Sequence, residues 1–328
     1  MTALPATMQE HLRRRFDVAL AHALRGASDA VLVDHPSHHN VGDHMIWRAQ
    51  MRALGRLDVK VRGVCEARDY DPARLARLLG PGTAIVQSGG GNLGDLYGRS
   101  QNLRERVLED FPDRRIVQLP QSVEFLDPVR SARFAELART HEDYLVMVRD
   151  ARSLATLEAM ELRCQLVPDA ALTLPQTERR PPRTDVLWLR RSDVEAASSR
   201  GDELPMPHEV TDWTRPGSRR LARGRAGARR LAMRTGAAPM LWERRARREE
   251  QRGLRTLSRG RVVLTDRLHA SVLAALAGIP AVTMADRYGK IEALRTTWGL
   301  DSVLPPLVAD VDEARDELER LLAEATSR

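Results

Sequence analysis

The chain has 328 residues, a hydrophobic content of 42% and a formal net charge of +7, so it is long enough for about two domains with separate cores. Aromatic residues make up only 4% of the sequence, which argues against single-stranded nucleic acid as a partner, because such binding relies on aromatic stacking. The two cysteines, Cys65 and Cys164, form no CxxC pair, which argues against a disulfide framework and a zinc ribbon.

The first 25 residues do not have the composition of a signal peptide. Charged side chains such as Glu10, Arg13 and Asp17 interrupt the apolar core that export requires. The longest uncharged apolar stretch, 270–285, is too short to span a bilayer and contains Gly278 and Pro280. We therefore expect a cytoplasmic protein.

Short β-branched runs alternate with segments of helical periodicity along most of the chain, which predicts an α/β fold. Strands are predicted at 30–33, 59–64, 84–87, 116–119, 144–148, 165–167, 185–189, 262–265 and 281–284. Helices are predicted at 8–25, 45–54, 72–79, 99–109, 151–161 and 270–276. Residues 195–218 have weak periodicity and resemble a surface excursion.

The loop DHPSHHNVGDH, at 34–44, lies between the first predicted sheet strand and its helix, where α/β folds bind ligands. Gly42 permits close backbone approach, and Asn40 and Asp43 are able to bond hydroxyls or cap the helix. The loop also raises the question of a metal, because it contains four histidines: His35, His38, His39 and His44. No cysteine or glutamate joins them, so we expect no metal site.

A glycine-rich loop, SGGGNLGDLY at 88–97, directly follows the strand predicted at 84–87. Successive glycines allow a ligand or another backbone to come close, which suits a phosphate or sugar cradle, although a tight packing turn explains the same pattern. The spacing matches neither GxGxxG nor a P-loop. The candidate ligand-binding residues here and in the polar loop 120–122 are Gly89, Gly90, Gly91, Asn92, Asp95 and Gln121.

A third candidate site lies between the strand predicted at 262–265 and its helix. Asp266, Arg267 and His269 place a carboxylate, a fixed cation and a titratable imidazole at a strand end. An ion pair between Asp266 and Arg267 that only ties down the turn is the alternative. Arg149 and Arg190 also follow predicted strands, and guanidinium groups suit binding of carboxylate or phosphate.

Two stretches suggest how the chain is organised. The Pro-rich residues 175–183 predict a linker between domains at 1–174 and 184–328. An Arg-rich segment, 215–261, holds sixteen arginines and three glutamates, for a net charge of +13. Such a segment suits an anionic lipid surface or a polyphosphate ligand, and a solvated helical face is the alternative.

Taken together, the motifs resemble the polysaccharide pyruvyl transferase family, in particular its exopolysaccharide branch. The matching motifs are NVGD at 40–43, SGGGNLGDLY at 88–97, LPQS at 119–122, VRD at 148–150, PDAAL at 168–172, LRRSDVE at 189–195, TDRLHASVLAALAGIP at 265–280 and YGKI at 288–291. The resemblance implies two Rossmann-like domains in a GT-B-like arrangement with an interdomain cleft. It further implies transfer of pyruvate from phosphoenolpyruvate to a sugar as a ketal, with phosphoenolpyruvate as co-substrate and no further cofactor.

The resemblance also implies roles for individual residues. Arg267 and His269 match the family's Arg-Leu-His motif, and Arg149 matches its Arg-Asp motif. His269 is the expected general acid, and Asp266 is expected to orient it or to accept a hydroxyl proton. The expected donor-binding residues are Arg267, Arg149, Arg190 and Lys290. The expected acceptor or cleft residues of the N-terminal side are Asn40, Gly42, Asp43, Gly89, Gly90, Gly91, Asn92, Asp95 and Gln121.

The expected acceptor is a sugar of a polysaccharide or a lipid-linked precursor, reached at the inner face of the membrane through the Arg-rich segment. Two other functions are compatible with the sequence. A GT-B-like glycosyltransferase would use a nucleotide sugar on the same architecture. A non-enzymatic basic scaffold would recruit glycan machinery to the membrane.

Overall fold

Two parallel β-sheets form the framework of the protein in the computed structural model, which describes residues 4–193, 195–196, 203–214 and 238–326. Within these residues the strands of the first sheet are β1 (Asp29–Val33), β2 (Lys60–Cys65), β3 (Thr83–Gln87), β4 (Gly90–Gly94), β5 (Ile116–Glu124), β6 (Tyr144–Val148) and β7 (Cys164–Leu166). The helices among them are α1 (Ala6–Ala23), α2 (Val41–Arg56), α3 (Pro72–Ala76), α4 (Gly98–Asp110), α5 (Pro128–Thr140) and α6 (Ala151–Ala159).

The second sheet is built from the C-terminal part of the chain. Its described strands are β8 (Thr184–Leu189), β9 (Glu209–Thr211), β10 (Gly260–Thr265), β11 (Ala281–Met284) and β12 (Leu307–Val308). The accompanying helices are α7 (Ala238–Leu257), α8 (Leu268–Leu276), α9 (Lys290–Trp298) and α10 (Val311–Thr326).

Both sheets reverse their strand order beside their first strand. The first sheet has the order β2-β1-β3-β5-β6-β7, with β4 paired to β5, and the second has the order β12-β11-β10-β8-β9. β1 therefore lies between β2 and β3, and β8 lies between β9 and β10. In parallel sheets the crevice outside the carboxyl ends at such a reversal is the usual ligand site. Parallel sheets with this order are Rossmann-like, as the sequence predicts.

The central strands, such as β3 and β10, are largely buried because their side chains are mostly apolar on both faces, as expected for parallel strands covered by helices. Val262, Val263 and Leu264 of β10 have no solvent exposure. The largest buried cluster also includes Phe16 of α1 and Leu273 of α8. It thus combines apolar residues from both parts of the chain, so the two sheets share packed helices between them.

The structure corrects three details of the predicted elements. The glycine-rich loop contains strand β4, whose Gly90 pairs with Gln121. The predicted polar loop at 120–122 lies inside β5, which continues to Glu124. Residues 209–211, predicted as part of a surface excursion, form β9 and pair with β8. Each of these segments has too few apolar residues to be recognised as a strand by periodicity.

The Arg-rich segment is described only from residue 238 onward, and residues 215–237 lie outside the described part. Helix α7 of this segment packs on α2 of the N-terminal part. Arg48 of α2 donates hydrogen bonds to Glu243 (3.1 Å) and to Glu250 (2.5 Å). The backbone of Gly253 lies against Val41. One face of the helix is therefore a packing surface, whereas Arg244, Arg247, Arg248 and Arg255 on the other face are exposed.

Candidate active site

A pocket of about 460 Å³ lies at the carboxyl ends of strands from both sheets, which is a typical size for a small-ligand site. Loops that follow β1, β3, β6, β8 and β10 contribute to its wall. Nine of the residues predicted from the sequence line it: Asn40, Asp43, Gly89, Gly91, Asn92, Arg149, Arg267, His269 and Lys290.

His269 lies in the first turn of α8, directly after β10, and borders the pocket. Nε2 of its imidazole lies 3.2 Å from Oδ2 of Asp169. The other side of the ring packs against the start of α2, where a Cβ atom on Gly42 would lie 2.8 Å from Nδ1 of His269. Only glycine fits at this position without displacing the imidazole. Gly42 thus supports the site from behind and does not line the pocket itself.

Asn40 and Asp43 fix the start of α2 beside this histidine. Oδ1 of Asn40 accepts a hydrogen bond from the backbone N–H of Gly42, 3.3 Å away, and its Nδ2 donates to Asp43 at 2.8 Å. The predicted helix cap is therefore confirmed. Both residues also border the pocket.

The carboxylate of Asp169 joins His269 to Arg149. Its Oδ2 accepts a hydrogen bond from Nη1 of Arg149 at 2.7 Å, and Nε of Arg149 donates to Ser122 at 2.8 Å. Asp169 and Arg149 are both buried. Burial by itself would raise the pKa of Asp169, but the charges and hydrogen bonds of His269 and Arg149 outweigh it and lower that pKa. Asp169 therefore stays ionised and holds the imidazole in place.

Asp169 replaces Asp266 as the carboxylate that orients the imidazole, which corrects the sequence prediction. Oδ1 of Asp266 accepts a hydrogen bond from the backbone N–H of Arg191 at 2.8 Å, and Asp266 does not line the pocket. Burial raises the pKa of Asp266. Its position follows from the turn after β10, which directs residue 266 towards β8 and residue 269 towards the pocket.

Arg267 borders the pocket but already has carboxylate partners. Its Nη2 lies 2.7 Å from Oδ1 of Asp212 and 3.3 Å from Oδ2 of Asp193. The side chain of Arg267 is only 4% exposed. Asp212 comes from residues 195–218, which the sequence predicts as a surface excursion, and Asp193 lies just before them, so Arg267 also fastens this part of the chain to the site.

Arg191 occupies the pocket position predicted for Arg190. The guanidinium of Arg190 lies over the ring of Trp188, 4.7 Å from its centroid, and is not part of the pocket wall. Arg191 is part of the wall, and its Nη2 lies 2.5 Å from Oε2 of Glu195. Neighbouring residues at a strand end point in opposite directions, which explains why only one of the two arginines reaches the pocket.

Lys290 completes the group of cations, at the start of α9. Its ammonium forms an ion pair with Glu195 and donates a hydrogen bond to the carbonyl oxygen of Gly91, 3.2 Å away. Glu195 is thus a buried carboxylate held between Arg191 and Lys290. An anionic ligand in the pocket would therefore meet two cations, Arg191 and Lys290, that are already paired with Glu195.

The glycine strand β4 brings the two parts of the site together. A Cβ atom on Gly91 would lie 2.9 Å from Nη2 of Arg149, so a side chain here would displace the guanidinium. The side chain of Gln121 holds the strand in place, because it accepts from the N–H of Asn92 at 2.9 Å and donates to Oδ1 of Asn92 at 2.8 Å. Gly90 and Gln121 therefore shape the site without lining the pocket.

Asp95 does not belong to the site, contrary to the sequence prediction. Its carboxylate accepts hydrogen bonds from the backbone N–H groups of Leu126, at 2.9 Å, and Asp127, at 2.6 Å. It thereby joins the end of β4 to the loop that follows β5. The glycine motif continues past the pocket at this point, which its sequence pattern does not reveal.

Sequence reasoning missed several residues that the fold brings to the pocket or to its charged groups. These residues are Asp34, Tyr97, Asp169, Arg191, Asp193, Glu195 and Asp212, together with His35, which the sequence analysis considers only as a metal ligand. Their common signal is a polar side chain within a few residues of a strand end. Most of them lie within the family motifs named above, but a motif does not show which of its side chains points into the pocket.

Two further findings concern metals and membranes. Among the described residues, no group of three or more His, Cys, Asp and Glu side chains is arranged to hold a metal ion. The described helices also include none with the length and apolar character needed to cross a bilayer.

Comparison with known proteins identifies the family. Residues 40–287 match the sequence model described as polysaccharide pyruvyl transferase. The chain belongs to the polysaccharide pyruvyl transferase family. The matched range extends from the cap of α2 to the turn before α9, and thus includes both Asp169 and His269.

Individual relatives agree with the family assignment. The chain is 30% identical over 280 residues to a Bacillus subtilis protein named pyruvyl transferase EpsO, covering 83% of this chain and 85% of the relative. It is 28% identical to pyruvyl transferase 1 of Schizosaccharomyces pombe, covering 92% of this chain and 77% of the relative. The crystal structure of KP1_0663 from Klebsiella pneumoniae aligns with a TM-score of 0.61 and 16% identity, over 91% of this chain and 98% of that one. That structure supports the fold alone.

Proposed function

We propose that this enzyme transfers pyruvate from phosphoenolpyruvate to a sugar of a polysaccharide or a lipid-linked glycan precursor and forms a pyruvate ketal. The observation that carries this proposal is the group formed by His269, Asp169 and Arg149, in which one carboxylate oxygen bonds both the imidazole and the guanidinium. The transfer requires protonation of the methylene carbon of the donor as a hydroxyl adds to C2. An oriented imidazole beside an anion-binding cation meets that requirement.

The cations of the pocket support phosphoenolpyruvate as the donor. This molecule carries a carboxylate and a phosphate on a three-carbon skeleton, so it needs several convergent cations. Arg149, Arg191 and Lys290 meet around Gly91 and Glu195, and we assign them to donor binding. Arg267 stays in the proposed donor site, where Asp193 and Asp212 position its guanidinium.

We further propose that the donor competes with Glu195. In the free protein the carboxylate of Glu195 contacts Arg191 and Lys290, which are the groups that an incoming carboxylate or phosphate would bind. Binding of the donor therefore requires these cations to exchange an internal carboxylate for an external anion. In such an exchange the buried cations always have an anionic partner, which matters because an unpaired buried charge is strongly destabilising.

The proposed acceptor site lies on the N-terminal side of the pocket. Asn40, Asp43 and Asn92 provide amide and carboxylate oxygens there, and such groups bind sugar hydroxyls. On this proposal, residues 1–174 and 184–328 form an acceptor domain and a donor domain in a GT-B-like arrangement. The linker is 175–183 and the pocket is the interdomain cleft.

We also propose that the protein is cytoplasmic and binds the inner face of the membrane through the outer face of α7. The support is the row of exposed arginines at helical spacing, Arg244, Arg247, Arg248 and Arg255, next to Met240 and Leu241. Met240 is 61% exposed and Leu241 is 39% exposed. Basic and apolar side chains on one helix face are typical of helices that bind anionic lipid.

The proposed function is tested with purified protein, phosphoenolpyruvate and a panel of soluble and lipid-linked sugars. We expect release of phosphate in step with formation of a pyruvylated sugar. We expect His269→Gln to lower turnover by roughly two to four orders of magnitude, with phosphoenolpyruvate binding retained in calorimetry. His22→Gln, an exposed histidine of α1, is the matched control and should have wild-type turnover.

The same experiment separates the alternative functions. Selective thermal stabilisation by a nucleotide sugar and not by phosphoenolpyruvate would favour a glycosyltransferase. Wild-type turnover in His269→Gln would remove the imidazole from the mechanism. Absence of turnover with every acceptor and donor, together with binding to glycan-synthesis proteins, would favour the scaffold.

A further inference from the structure

Asp34 lies where the first sheet reverses its strand order, yet the family motifs named above do not include it. It directly follows β1 and borders the pocket. Its backbone has φ of +68°, in the left-handed region that few residues other than glycine adopt. Its strand-end position in the first sheet corresponds to that of Arg190 and Arg191 in the second sheet.

The surroundings of Asp34 are those of a proton acceptor. Oδ2 of Asp34 lies 3.5 Å from Nδ2 of Asn92. Burial raises the pKa of Asp34, and the negative charge of Asp43 raises it further. Three groups lower this pKa by smaller amounts than burial raises it: the charges of Arg104 and His38 and a hydrogen bond from Ser100. The result is a pKa above the ordinary value for aspartate, and a carboxylate of higher pKa is a stronger general base.

A second and independent observation comes from the neighbouring residue. His35 is only 1% exposed and borders the pocket, yet neither of its ring nitrogens has a hydrogen-bond partner within the described part of the chain. The ring stacks on Trp242, with centroids 4.8 Å apart, and meets Trp47 edge-on at 4.4 Å. Buried polar groups without partners are rare in folded proteins, so this imidazole points to a missing ligand.

The chemistry of that ligand follows from the two side chains. Burial lowers the pKa of His35 well below its ordinary value, so the ring is neutral, with one nitrogen that donates and one that accepts. A carboxylate and a neutral imidazole that border the same pocket match hydroxyl groups, because each hydroxyl both donates and accepts. A phosphate or a carboxylate would be repelled by Asp34.

The strand β4 connects this place to the proposed donor site. The side chain of Asn92 faces Asp34, whereas the preceding residue, Gly91, faces Arg149 and Lys290. Asp43, which also borders the pocket, lies 3.7 Å from the position of a Cβ atom on Gly90. Asn92 and Gly91 are consecutive residues of β4, so a hydroxyl bound by Asp34 lies close to the cations that we propose bind the donor.

We infer that Asp34 binds a hydroxyl of the acceptor sugar and takes its proton as the oxygen bonds to C2 of phosphoenolpyruvate, while His35 binds the neighbouring hydroxyl. The inference rests on the proposed function and names its acceptor as a sugar diol. As the C–O bond forms at C2, the electron pair of the C2–C3 double bond takes a proton from His269 at C3. Phosphate then leaves C2, and the second hydroxyl closes the ketal. Over the whole reaction one hydroxyl proton ends on C3 and the other leaves with phosphate.

The test compares Asp34→Asn and Asp34→Glu with Asp58→Asn, which changes an exposed aspartate that also has a positive φ. We expect Asp34→Asn to keep phosphoenolpyruvate binding within about twofold and to lose roughly two to four orders of magnitude in turnover. Asp34→Glu should recover part of the loss, and Asp58→Asn should have wild-type turnover. Because the base acts in its ionised form, kcat/KM of the wild type should fall as the pH drops through the pKa of Asp34, and this fall should be absent in Asp34→Asn.

His35→Phe tests the second hydroxyl, because phenylalanine keeps the aromatic packing and removes both nitrogens. We expect the KM for the acceptor to rise roughly tenfold, with phosphoenolpyruvate binding unchanged. Turnover of Asp34→Asn within about tenfold of the wild type would overturn the inference, as would loss of donor binding in that variant. A wild-type enzyme that transfers no pyruvate to any diol would instead overturn the proposed function itself.

Discussion

The two sheets have the same strand order near their reversal points but carry different chemical groups there. In the first sheet the loop after β1 provides Asp34 and strand β4 provides Asn92, which suit neutral hydroxyls. The loops after β8 and β10 in the second sheet provide Arg191 and Arg267, which suit anions. Topology thus determines where ligands bind, and the residue types at the strand ends determine which ligand each sheet receives.

The two sites are not fully separate, because each part of the chain also supplies a side chain that contacts the site of the other part. Asp169 of the first part contacts His269 of the second, and Lys290 of the second contacts Gly91 of the first. The indole N–H of Trp298 also donates to the carbonyl oxygen of Arg149 at 2.7 Å. The reactive groups are therefore assembled only when the two sheets are held together.

The largest effect is expected from Asp169→Asn, which breaks the contact between the two sides. An amide at this position keeps an oxygen that accepts hydrogen bonds but loses the negative charge that stabilises the guanidinium of Arg149 and a protonated His269. We expect turnover to fall by roughly two to four orders of magnitude with the fold retained. Steady-state kinetics and thermal unfolding measure the two effects.

Asp266→Asn is the matched comparison, because the sequence favoured Asp266 for the same role. Its Oδ1 accepts from a backbone N–H and the residue does not line the pocket, so an amide oxygen at the same place keeps that hydrogen bond. We expect less than about a tenfold loss of turnover. A larger loss in Asp266→Asn than in Asp169→Asn would show that the assignment of the orienting carboxylate is wrong.

An intermediate effect is expected from Glu195→Gln. This variant tests whether the carboxylate of Glu195 occupies Arg191 and Lys290 when no donor is bound. Loss of the charge that competes with the donor should increase the affinity for phosphoenolpyruvate, by about tenfold if the pair is closed most of the time. Calorimetry at constant ionic strength measures this change. Glu292→Gln on the exposed face of α9 is the control and should leave affinity unchanged. Weaker donor binding in Glu195→Gln would mean that Glu195 positions Lys290 instead of competing with the donor.

The smallest effect on turnover is expected from the outer face of α7, which lies outside both strand-end sites. The structure separates its arginines, because Arg245 donates to the carbonyl oxygen of Ser37 at 2.8 Å and Arg252 bonds the loop at His39. The membrane test should therefore leave these two unchanged. The variant replaces with glutamine the four exposed arginines Arg244, Arg247, Arg248 and Arg255.

We expect this variant to lose salt-sensitive binding to anionic liposomes, because each arginine contributes about 1 kcal/mol near such a surface. Its turnover with a soluble acceptor should match the wild type. The control replaces four exposed arginines elsewhere, namely Arg77, Arg133, Arg139 and Arg163. Equal loss of liposome binding in the control would show that only net charge matters, and equal sedimentation with neutral vesicles would exclude a role for anionic lipid.

The sequence by itself determined the local elements and the family. Apolar runs such as Val262–Thr265 and Ala281–Met284 predicted β10 and β11, because β-branched residues between turn signals favour buried strands. The order of the motifs also placed Arg149, Arg267 and His269 at strand ends, where the structure has them. These features depend on residues close to one another in the chain.

Only the tertiary structure decided which side chains meet. Asp169 and His269 are 100 residues apart, and Asp212 and Arg267 are 55 residues apart, so no local pattern pairs them. Only the folded chain shows that Arg191 borders the pocket while Arg190 lies over Trp188, and that Asp34 has a positive φ at the end of β1. Long-range packing fixes these choices because the carboxyl ends of separate strands converge on one pocket.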